Sequence, residues 1–148
     1  MKNLILFAAV IFTLSANAAN PVDPANQKVM TTFTEVFKDA HNVSWSTTGK
    51  TYEAYFTDGA IKTRALLTNN GVLVQTVRYY GESELPANIL YSVKKTFRGK
   101  EVYGVTEVTN KYGVNYRIVL RDAKHIVNIN ANSSGDTEVV STYSRGDK

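Results

Sequence analysis

The sequence predicts an α+β protein in which two tandem helix-plus-four-strand repeats form one antiparallel sheet, with both helices on one face. Two segments with apolar residues at helical spacing are each followed by four segments typical of strands. Abundant tyrosine and frequent Gly, Asn, Asp and Ser turns favour antiparallel pairing. Three residues recur at a spacing of 64: Tyr52, Asp58 and Gly71 reappear as Tyr116, Asp122 and Gly135.

The first residues predict a secretory signal peptide over residues 1–18. Lys2 provides the positive charge, an apolar run follows over residues 4–14, and Ala16-Asn17-Ala18 matches an A-x-A cleavage site. The run is shorter than the roughly 20 apolar residues of a membrane-spanning helix. We therefore expect a single mature domain over residues 19–148 and no stable membrane insertion after cleavage.

The composition limits the location and the partners of the protein. The chain has no cysteine, so neither a disulfide framework nor a lipid-attachment cysteine is possible. An exported chain without disulfides points to a bacterial cell envelope, and we expect a periplasmic or secreted protein. The formal net charge of +4 falls to +3 without Lys2, and the basic residues are scattered. Nucleic acid is therefore not an expected partner.

Each of the two predicted helices begins near a proline. In "DPANQKVMTTFTEVFKDA" Asp23 can cap the helix and Pro24 suits its first position. In "ELPANILYSVKKTFRG" Pro86 opens the helix and Gly99 is placed to end it. The first apolar stripe comprises Val29, Phe33, Val36 and Phe37, and the second comprises Ile89, Leu90, Val93 and Phe97.

Four strand segments follow each helix. They read "VSWST", "TYEAYFT", "AIKTRALL" and "VLVQTVRYY", then "EVYGVTEVTN", "VNYRIVLR", "HIVNIN" and "TEVVSTYS". The repeats therefore extend over about residues 23–82 and 84–148. Because a four-stranded sheet with one helix is marginal alone, we expect the two units to join into one continuous sheet.

The Asp58-Gly59 pair predicts the register of one hairpin. As a two-residue loop it places Thr57 opposite Ala60 and turns Phe56 towards the helices. On the other face it pairs Tyr55 with Lys62, and Glu53 with Arg64.

The same pattern in the second repeat predicts the two sides of its central hairpin. The helix side receives Tyr116, Ile118, Leu120, Val127 and Ile129. The open side receives Arg117, Val119, Arg121, Ile126 and Asn128. Ala123 stands where the first repeat has glycine, so this turn is less strongly specified.

The side of the sheet that Trp45 occupies depends on the loop that follows it. A two-residue loop at Thr48-Gly49 or at Gly49-Lys50 places Trp45 opposite Tyr52 or Ala54, in the core. A three-residue loop places it opposite Glu53, on the open face. We favour the core, because large aromatic side chains usually anchor the interior of a small domain.

The order of these motifs resembles the exported PepSY-like proteins of Bacteroidetes, which share the beta-lactamase-inhibitor-protein-like fold. The motifs are Val43-x-Trp45, "YEAYF" with Asp58-Gly59, Asn70-Gly71, and Leu85-Pro86 at the second helix. The resemblance implies tandem repeats and a concave sheet backed by helices. PepSY-type domains are proposed to inhibit peptidases, and the named inhibitor grips a hydrolase with its sheet. That inhibitor carries disulfides and this chain has none. No inhibitory loop can be mapped onto this sequence residue by residue, so inhibition of a beta-lactamase is not implied.

No catalytic or metal-binding pattern is apparent in the sequence. His41 and His125 are interpreted as structural, because no nucleophile elbow surrounds a serine and no HExxH spacing occurs. The segment "NANSSGD" resembles a calcium loop but lacks the first aspartate, and Ser141 stands at the position of the bidentate glutamate. We interpret it as a turn and predict a protein that is not an enzyme and has no cofactor.

The open sheet face is the predicted binding surface, for a protein or a peptide. Tyrosine and arginine favour interfaces. One alternative is an ordinary solvated face, and another is a small-ligand carrier or envelope enzyme with a deep pocket of convergent polar groups. The predicted binding residues are Tyr55, Lys62, Arg64, Arg117, Val119 and Arg121, with Ile126 nearby.

Overall fold

The structure is a computed structural model that describes residues 26–146, and it contains one eight-stranded antiparallel sheet and two helices. The predicted signal peptide, Asp23 and Pro24 lie outside the described residues. Between residues 26 and 146, neither helix has the length and apolar character needed to cross a bilayer.

The strands lie in the sheet in chain order, from β1 to β8. A short 3-10 helix, Glu82–Glu84, precedes the second helix. The elements are α1 (Gln27–Val36), β1 (Ala40–Thr48), β2 (Thr51–Asp58), β3 (Ile61–Thr68), β4 (Leu73–Tyr80), α2 (Ala87–Thr96), β5 (Glu101–Asn110), β6 (Gly113–Arg121), β7 (His125–Asn132) and β8 (Thr137–Ser144). All eight predicted strands and both predicted helices are present.

Helix α1 buries Val29 and Phe33, as predicted, whereas Val36 is 52% exposed. Val36 is the last residue of the helix, and the chain then turns so that Phe37 packs on Phe33 and Phe56. Phe37 therefore covers the sheet at this end, and the assignment of Val36 to the apolar stripe was wrong.

Helix α2 agrees closely with its predicted stripe. Ile89 and Val93 are buried, and Leu90 and Phe97 are partly buried against the same cluster. Pro86 is the N-cap, and Gly99 has φ +76°, which favours glycine just after a helix.

Both helices lie on the same side of the sheet. Ala65 and Leu67 pack with α1, and Ala65 pairs with Thr76, which pairs in turn with Thr109. Residues that pair across neighbouring strands point to the same side of the sheet. The row that begins at Ala65 therefore continues from Thr109 to Val114, which packs with the α2 cluster. The α1 cluster consists of Val29, Phe33, Ala54, Phe56, Ala65 and Leu67. The α2 cluster consists of Leu85, Ile89, Val93, Val102, Val105, Tyr116, Ile118, Leu120, Val127, Ile129 and Ala131.

The β2–β3 hairpin differs from the predicted register by two residues. Asp58 pairs with Ile61, so the loop is Gly59-Ala60 rather than Asp58-Gly59. Gly59 has φ +57°, and Asp58 is not among the residues with positive φ in the described chain. A type I′ loop over Asp58-Gly59 would require positive φ at both residues, whereas a type II′ loop places glycine first. A two-residue change preserves the face of every side chain, so the directly opposite partners were wrong. The predicted pair of Glu53 with Arg64 nevertheless forms, between diagonal neighbours.

Trp45 lies on the helix side of the sheet, in agreement with the favoured prediction that it packs in the core. The β1–β2 loop is Gly49-Lys50, and Trp45 pairs with Ala54. Its ring centroid is 5.0 Å from that of Phe33 in an edge-to-face arrangement. This contact places the only tryptophan of the chain against helix α1.

Two of the recurring residues, Gly71 and Gly135, lie close beneath the helices. A Cβ atom on Gly71 would stand 2.7 Å from the main-chain oxygen of Lys28 in α1. A Cβ atom on Gly135 would stand 2.6 Å from Oγ of Ser92 in α2. Their φ angles are +80° and +90°, so close approach and backbone conformation both favour glycine.

A cluster of polar side chains connects β4 and β5, the two central strands, on the helix side of the sheet. Glu107 on β5 forms an ion pair with Arg78 on β4 at 3.3 Å and accepts a 2.6 Å hydrogen bond from the hydroxyl of Tyr80. Burial and the neighbouring Glu107 raise the pKa of Tyr80 above its ordinary value. The cluster connects β4 with β5, and its Tyr80 packs against the α2 cluster.

The turn between β6 and β7 is built around the Asp122 carboxylate. Its Oδ1 atom accepts hydrogen bonds of 2.7 Å from the main-chain amides of Lys124 and His125. Its other oxygen bonds the ammonium of Lys100. The Lys100 bond and the two amides hold the pKa of Asp122 well below its usual range. The loop contains residues 122–124 and is thus longer than the predicted two-residue turn.

Asp122→Asn should lower the urea midpoint of unfolding at pH 7, and its effect should become progressively smaller as the pH falls from about 4 towards 2. Because the pKa of Asp122 is lowered on folding, its carboxylate stabilises the fold above the unfolded pKa of about 3.9. That contribution is lost as the pH falls through the folded pKa. Circular dichroism across this range measures it, with Asp58→Asn as control, since Asp58 forms no ion pair within residues 26–146. An equal effect of Asp122→Asn at both pH values would contradict the prediction.

Candidate binding surface

The sheet face opposite the helices, here called the open face, carries all six predicted binding residues. Tyr55 pairs with Arg64 in one cross-strand row. Lys62 and Arg117 lie in the adjacent row, connected through Tyr79 and Thr106. Val119 and Arg121 follow Arg117 at alternate positions of β6 and share its face.

One group on this face surrounds Arg64. Its guanidinium lies 5.2 Å from the ring centroid of Tyr55, and its Nε atom donates a 2.9 Å hydrogen bond to Glu53. The hydrogen bonds to Tyr79 and Glu53 raise the pKa of Arg64, so the guanidinium stays charged. The cation that stacks on Tyr55 is therefore Arg64, and the predicted Tyr55–Lys62 pair was wrong because the hairpin register differs by two residues.

A second group surrounds Arg121. Its guanidinium lies 4.3 Å from the ring centroid of Tyr103 and forms an ion pair of 3.3 Å with Glu101. The Nε atom of Arg121 is buried and has no hydrogen-bond partner within residues 26–146. Ile126 pairs with Arg121 and with Tyr143, which is 57% exposed. Arginine, tyrosine and isoleucine thus meet at one end of the open face.

Strands β4 and β5 lie between Arg64 on β3 and Arg121 on β6, and their side chains were not among the predicted binding residues. Val77 and Val108 lie between Arg64 and Asn115, in one row of the sheet. Tyr79 is the most informative omission, because its hydroxyl lies 3.4 Å from Nη1 of Arg64. The alternation of "VLVQTVRYY" does not by itself show which face Tyr79 occupies. Strand β4 contains a register shift opposite Leu66 and Leu67, and such a shift changes the face of the residues that follow it.

Two open depressions lie on this face around Arg117. The first has a volume of about 530 Å³ and includes Gln75, Asn110, Asn115, Asn130 and Asn132 in its lining. The second has a volume of about 390 Å³ and is lined in part by Val119, Asn128 and Val140. Of the six predicted residues, Arg117 lines both depressions and Val119 lines the second.

The open face carries cations that have no acidic partner in the described chain. Within residues 26–146, neither Lys62 nor Arg117 forms an ion pair, whereas Arg64 and Arg121 each form one. Lys62 and Arg117 are both exposed. They are therefore available to acidic groups of a partner.

The two histidines lie at distant places in the sheet. His41 is on β1 and pairs with Thr57, and His125 opens β7 with its Nδ1 atom 3.4 Å from Oδ1 of Asp122. The segment that resembles a calcium loop forms the turn between β7 and β8. In this turn, Oδ1 of Asn132 accepts hydrogen bonds of 3.0 Å from the main-chain amides of Ser134 and Asp136.

Comparison with known proteins identifies the fold. No family model matches the chain, and no curated protein matches it either. Among solved structures, the chain is similar to a BLIP-like protein from Bacteroides fragilis, with 15% identity and a TM-score of 0.62, over 86% of this chain and 92% of the other. It is also similar to a DUF2874 family protein from Bacteroides ovatus, with 18% identity and a TM-score of 0.60, over 80% and 86% of the two chains.

A third similar structure is a protein from Bacteroides eggerthii that is provisionally described as periplasmic. It has 20% identity and a TM-score of 0.58, and the match covers 80% of this chain and 87% of the other. At these identities the likeness concerns the fold alone. The chain therefore has a BLIP-like fold, found in proteins of Bacteroides.

Proposed function

We propose that the protein is a non-catalytic binding protein of the cell envelope, which holds a protein or peptide partner on its open face. The observation that carries the proposal is the uncovered row of Lys62, Tyr79, Thr106 and Arg117, with Tyr55 and Arg64 in the adjacent row. Tyrosine and arginine are the residue types that most often dominate binding energy at interfaces.

The arrangement of these side chains supports the proposal. Arg64 is held between Tyr55, Glu53 and Tyr79, so its position is fixed before a partner arrives. Preorganised side chains lose less conformational entropy on binding than mobile ones. The exposed Lys62 and Arg117 favour a partner with acidic groups, and inhibition of a peptidase is one form that such binding could take.

A periplasmic or secreted location is part of the proposal. It is supported by the predicted signal peptide, by the absence of cysteine, and by the similar structure that is provisionally described as periplasmic. The proposal that the protein is not an enzyme rests on the sequence, in which no catalytic motif surrounds either histidine.

We also propose that the two halves are repeats of one unit, as the spacing of 64 predicts. The positions of Gly71 and Gly135 support this, because each glycine lies beneath the helix of its own half. The order of one helix and four strands, found twice in the chain, supports it as well.

Tyr55→Ala combined with Arg117→Ala should reduce capture of the partner from an envelope fraction about 30-fold or more, since two hot-spot residues are removed. Affinity capture with the immobilised mature chain, quantified by mass spectrometry, measures the loss. The matched control is Tyr91→Ala with Lys95→Ala, which removes a tyrosine–cation pair on α2 whose separation is 5.8 Å. A protein that binds the unaltered chain and the control, but not the open-face variant, is the expected partner. Equal recovery by both variants would place the binding surface elsewhere.

A further inference from the structure

The first depression on the open face, here called the amide groove, has five side-chain carboxamides among its lining residues. They come from the facing ends of four neighbouring strands and comprise Gln75, Asn110, Asn115, Asn130 and Asn132. The volume of about 530 Å³ is in the range of sites for small ligands. A carboxamide offers one acceptor and a donor group, the same combination as a peptide bond.

Three of these carboxamides are free of partners within the described chain. Asn110 and Asn132 are engaged in turns, through the amides of Tyr112 and Ser134. By contrast, Gln75, Asn115 and Asn130 form no side-chain hydrogen bond with any residue between 26 and 146. They can pair with the main chain of a bound peptide.

Opposite charges lie on the two sides of the amide groove. Arg117 on β6 pairs with Asn130 on β7, which pairs with Glu138 on β8. Two steps between strands separate the main chains of Arg117 and Glu138 by about 10 Å. Neither residue forms an ion pair within residues 26–146, and Asp136 also lines the acidic side. An extended peptide of about three residues spans the same distance.

From this geometry we propose that the amide groove binds a short extended peptide of about three residues, with its carboxylate at Arg117 and its amino group at Glu138. The carboxamides between these charges pair with the peptide main chain. The charges favour a peptide over a neutral oligosaccharide, which would leave both of them unmatched. The inference rests on the proposed function, since the groove opens on the same sheet face, and it specifies one chemical class of ligand.

The test is a titration of the isotopically labelled mature chain with the tripeptide Ala-Ala-Ala, followed by NMR. Saturable shifts of the side-chain amide resonances of Asn115 and Asn130 are expected. N-acetyl-Ala-Ala-Ala-amide should bind about 100-fold more weakly, because both charge-assisted contacts are lost. Arg117→Gln should weaken binding of Ala-Ala-Ala about tenfold but leave that of Ala-Ala-Ala-amide unchanged. Glu138→Gln should likewise weaken the binding of Ala-Ala-Ala about tenfold but leave that of N-acetyl-Ala-Ala-Ala unchanged.

Arg98→Gln is the matched control, because it removes an exposed arginine that forms no ion pair within residues 26–146 and does not line the amide groove. It should leave the affinity for Ala-Ala-Ala unchanged. Absence of saturable shifts, equal binding of the capped peptide, or insensitivity to both groove substitutions would overturn the inference. Maltotriose that shifted the same resonances with equal affinity would replace the peptide with a carbohydrate and overturn it too.

The two proposals fail in distinguishable ways. If Tyr55→Ala with Arg117→Ala abolishes partner capture while Ala-Ala-Ala does not bind, the inference about the amide groove is wrong and the proposed function stands. If the tripeptide binds as described while partner capture is unaffected by that double substitution, the groove stands and the binding surface for a large partner is elsewhere.

Discussion

Gly71→Ala is expected to lower the free energy of unfolding by about 3 kcal/mol or more, whereas Gly59→Ala should lower it by about 1 kcal/mol. Both glycines have positive φ, +80° and +57°, so both substitutions force alanine into the left-handed region. Only at Gly71 would the new methyl group meet main-chain atoms, at 2.7 Å and 2.9 Å from O and C of Lys28. Nothing lies within 4 Å of the corresponding position at Gly59.

The clash at Gly71 is difficult to relieve because the atoms belong to the first turn of α1. The hydroxyl of Thr32 also donates a 2.8 Å hydrogen bond to the carbonyl of Gly71, which fixes the helix against the β3–β4 turn. Urea-induced unfolding measures both variants, and the fluorescence of Trp45 reports on the packing of α1 through its contact with Phe33. Equal destabilisation by the two substitutions would show that backbone conformation alone accounts for the effect, and that α1 can move away.

A chain truncated after Ser83 should not fold, and the complete mature chain should unfold in one transition. The β4–β5 pair joins the two halves through six residue pairs, from Gln75↔Asn110 to Tyr80↔Val105. Truncation would leave the edge of β4 that faces β5 unpaired, and would leave Arg78 and Tyr80 without Glu107. It would also remove the cluster against which the ring of Tyr80 packs. The remaining half has only one helix to cover four strands and approaches the lower size limit of an autonomous core.

Calorimetry of the mature chain and the amide NMR spectrum of the truncated chain measure these two outcomes. A soluble half with dispersed resonances, or two separated thermal transitions, would contradict the prediction. Either result would show that the halves are independent domains, and the continuous open face would lose its structural support.

The faces of the side chains in β2 and β3 could be predicted from the sequence because they depend only on alternation within each strand. The predicted partner of Tyr55 was Lys62 and the observed partner is Arg64, yet all three lie on the open face. Alternation survives a two-residue change of register, whereas the identity of a cross-strand pair does not. The position of the loop depended on which residue could take positive φ, and Gly59 does so in the first loop position.

The depressions on the open face could not be predicted in the same way. They depend on which strands are neighbours and on local register shifts, such as those between Val102 and Gly104 and between Asn128 and Ile129. An inserted residue alters the local twist and the facing of the next residues in its strand, and the sequence carries no strong signal for it. Arg117 was therefore identified as a surface residue, but its place beside Asn130 and Glu138 emerges only from the paired strands.

The strand order β1 to β8 has a kinetic consequence. Six of the seven strand pairs close through short hairpin connections, and only the β4–β5 pair encloses a longer segment, residues 81–104 between Tyr80 and Val105. Closing that loop costs about 2 kcal/mol more chain entropy than closing a two-residue hairpin. The contact order of the sheet is otherwise low, which is associated with rapid folding of antiparallel hairpins. The association of β4 with β5 is therefore the step at which the entropic barrier concentrates, and α2 must form within the loop that this step closes.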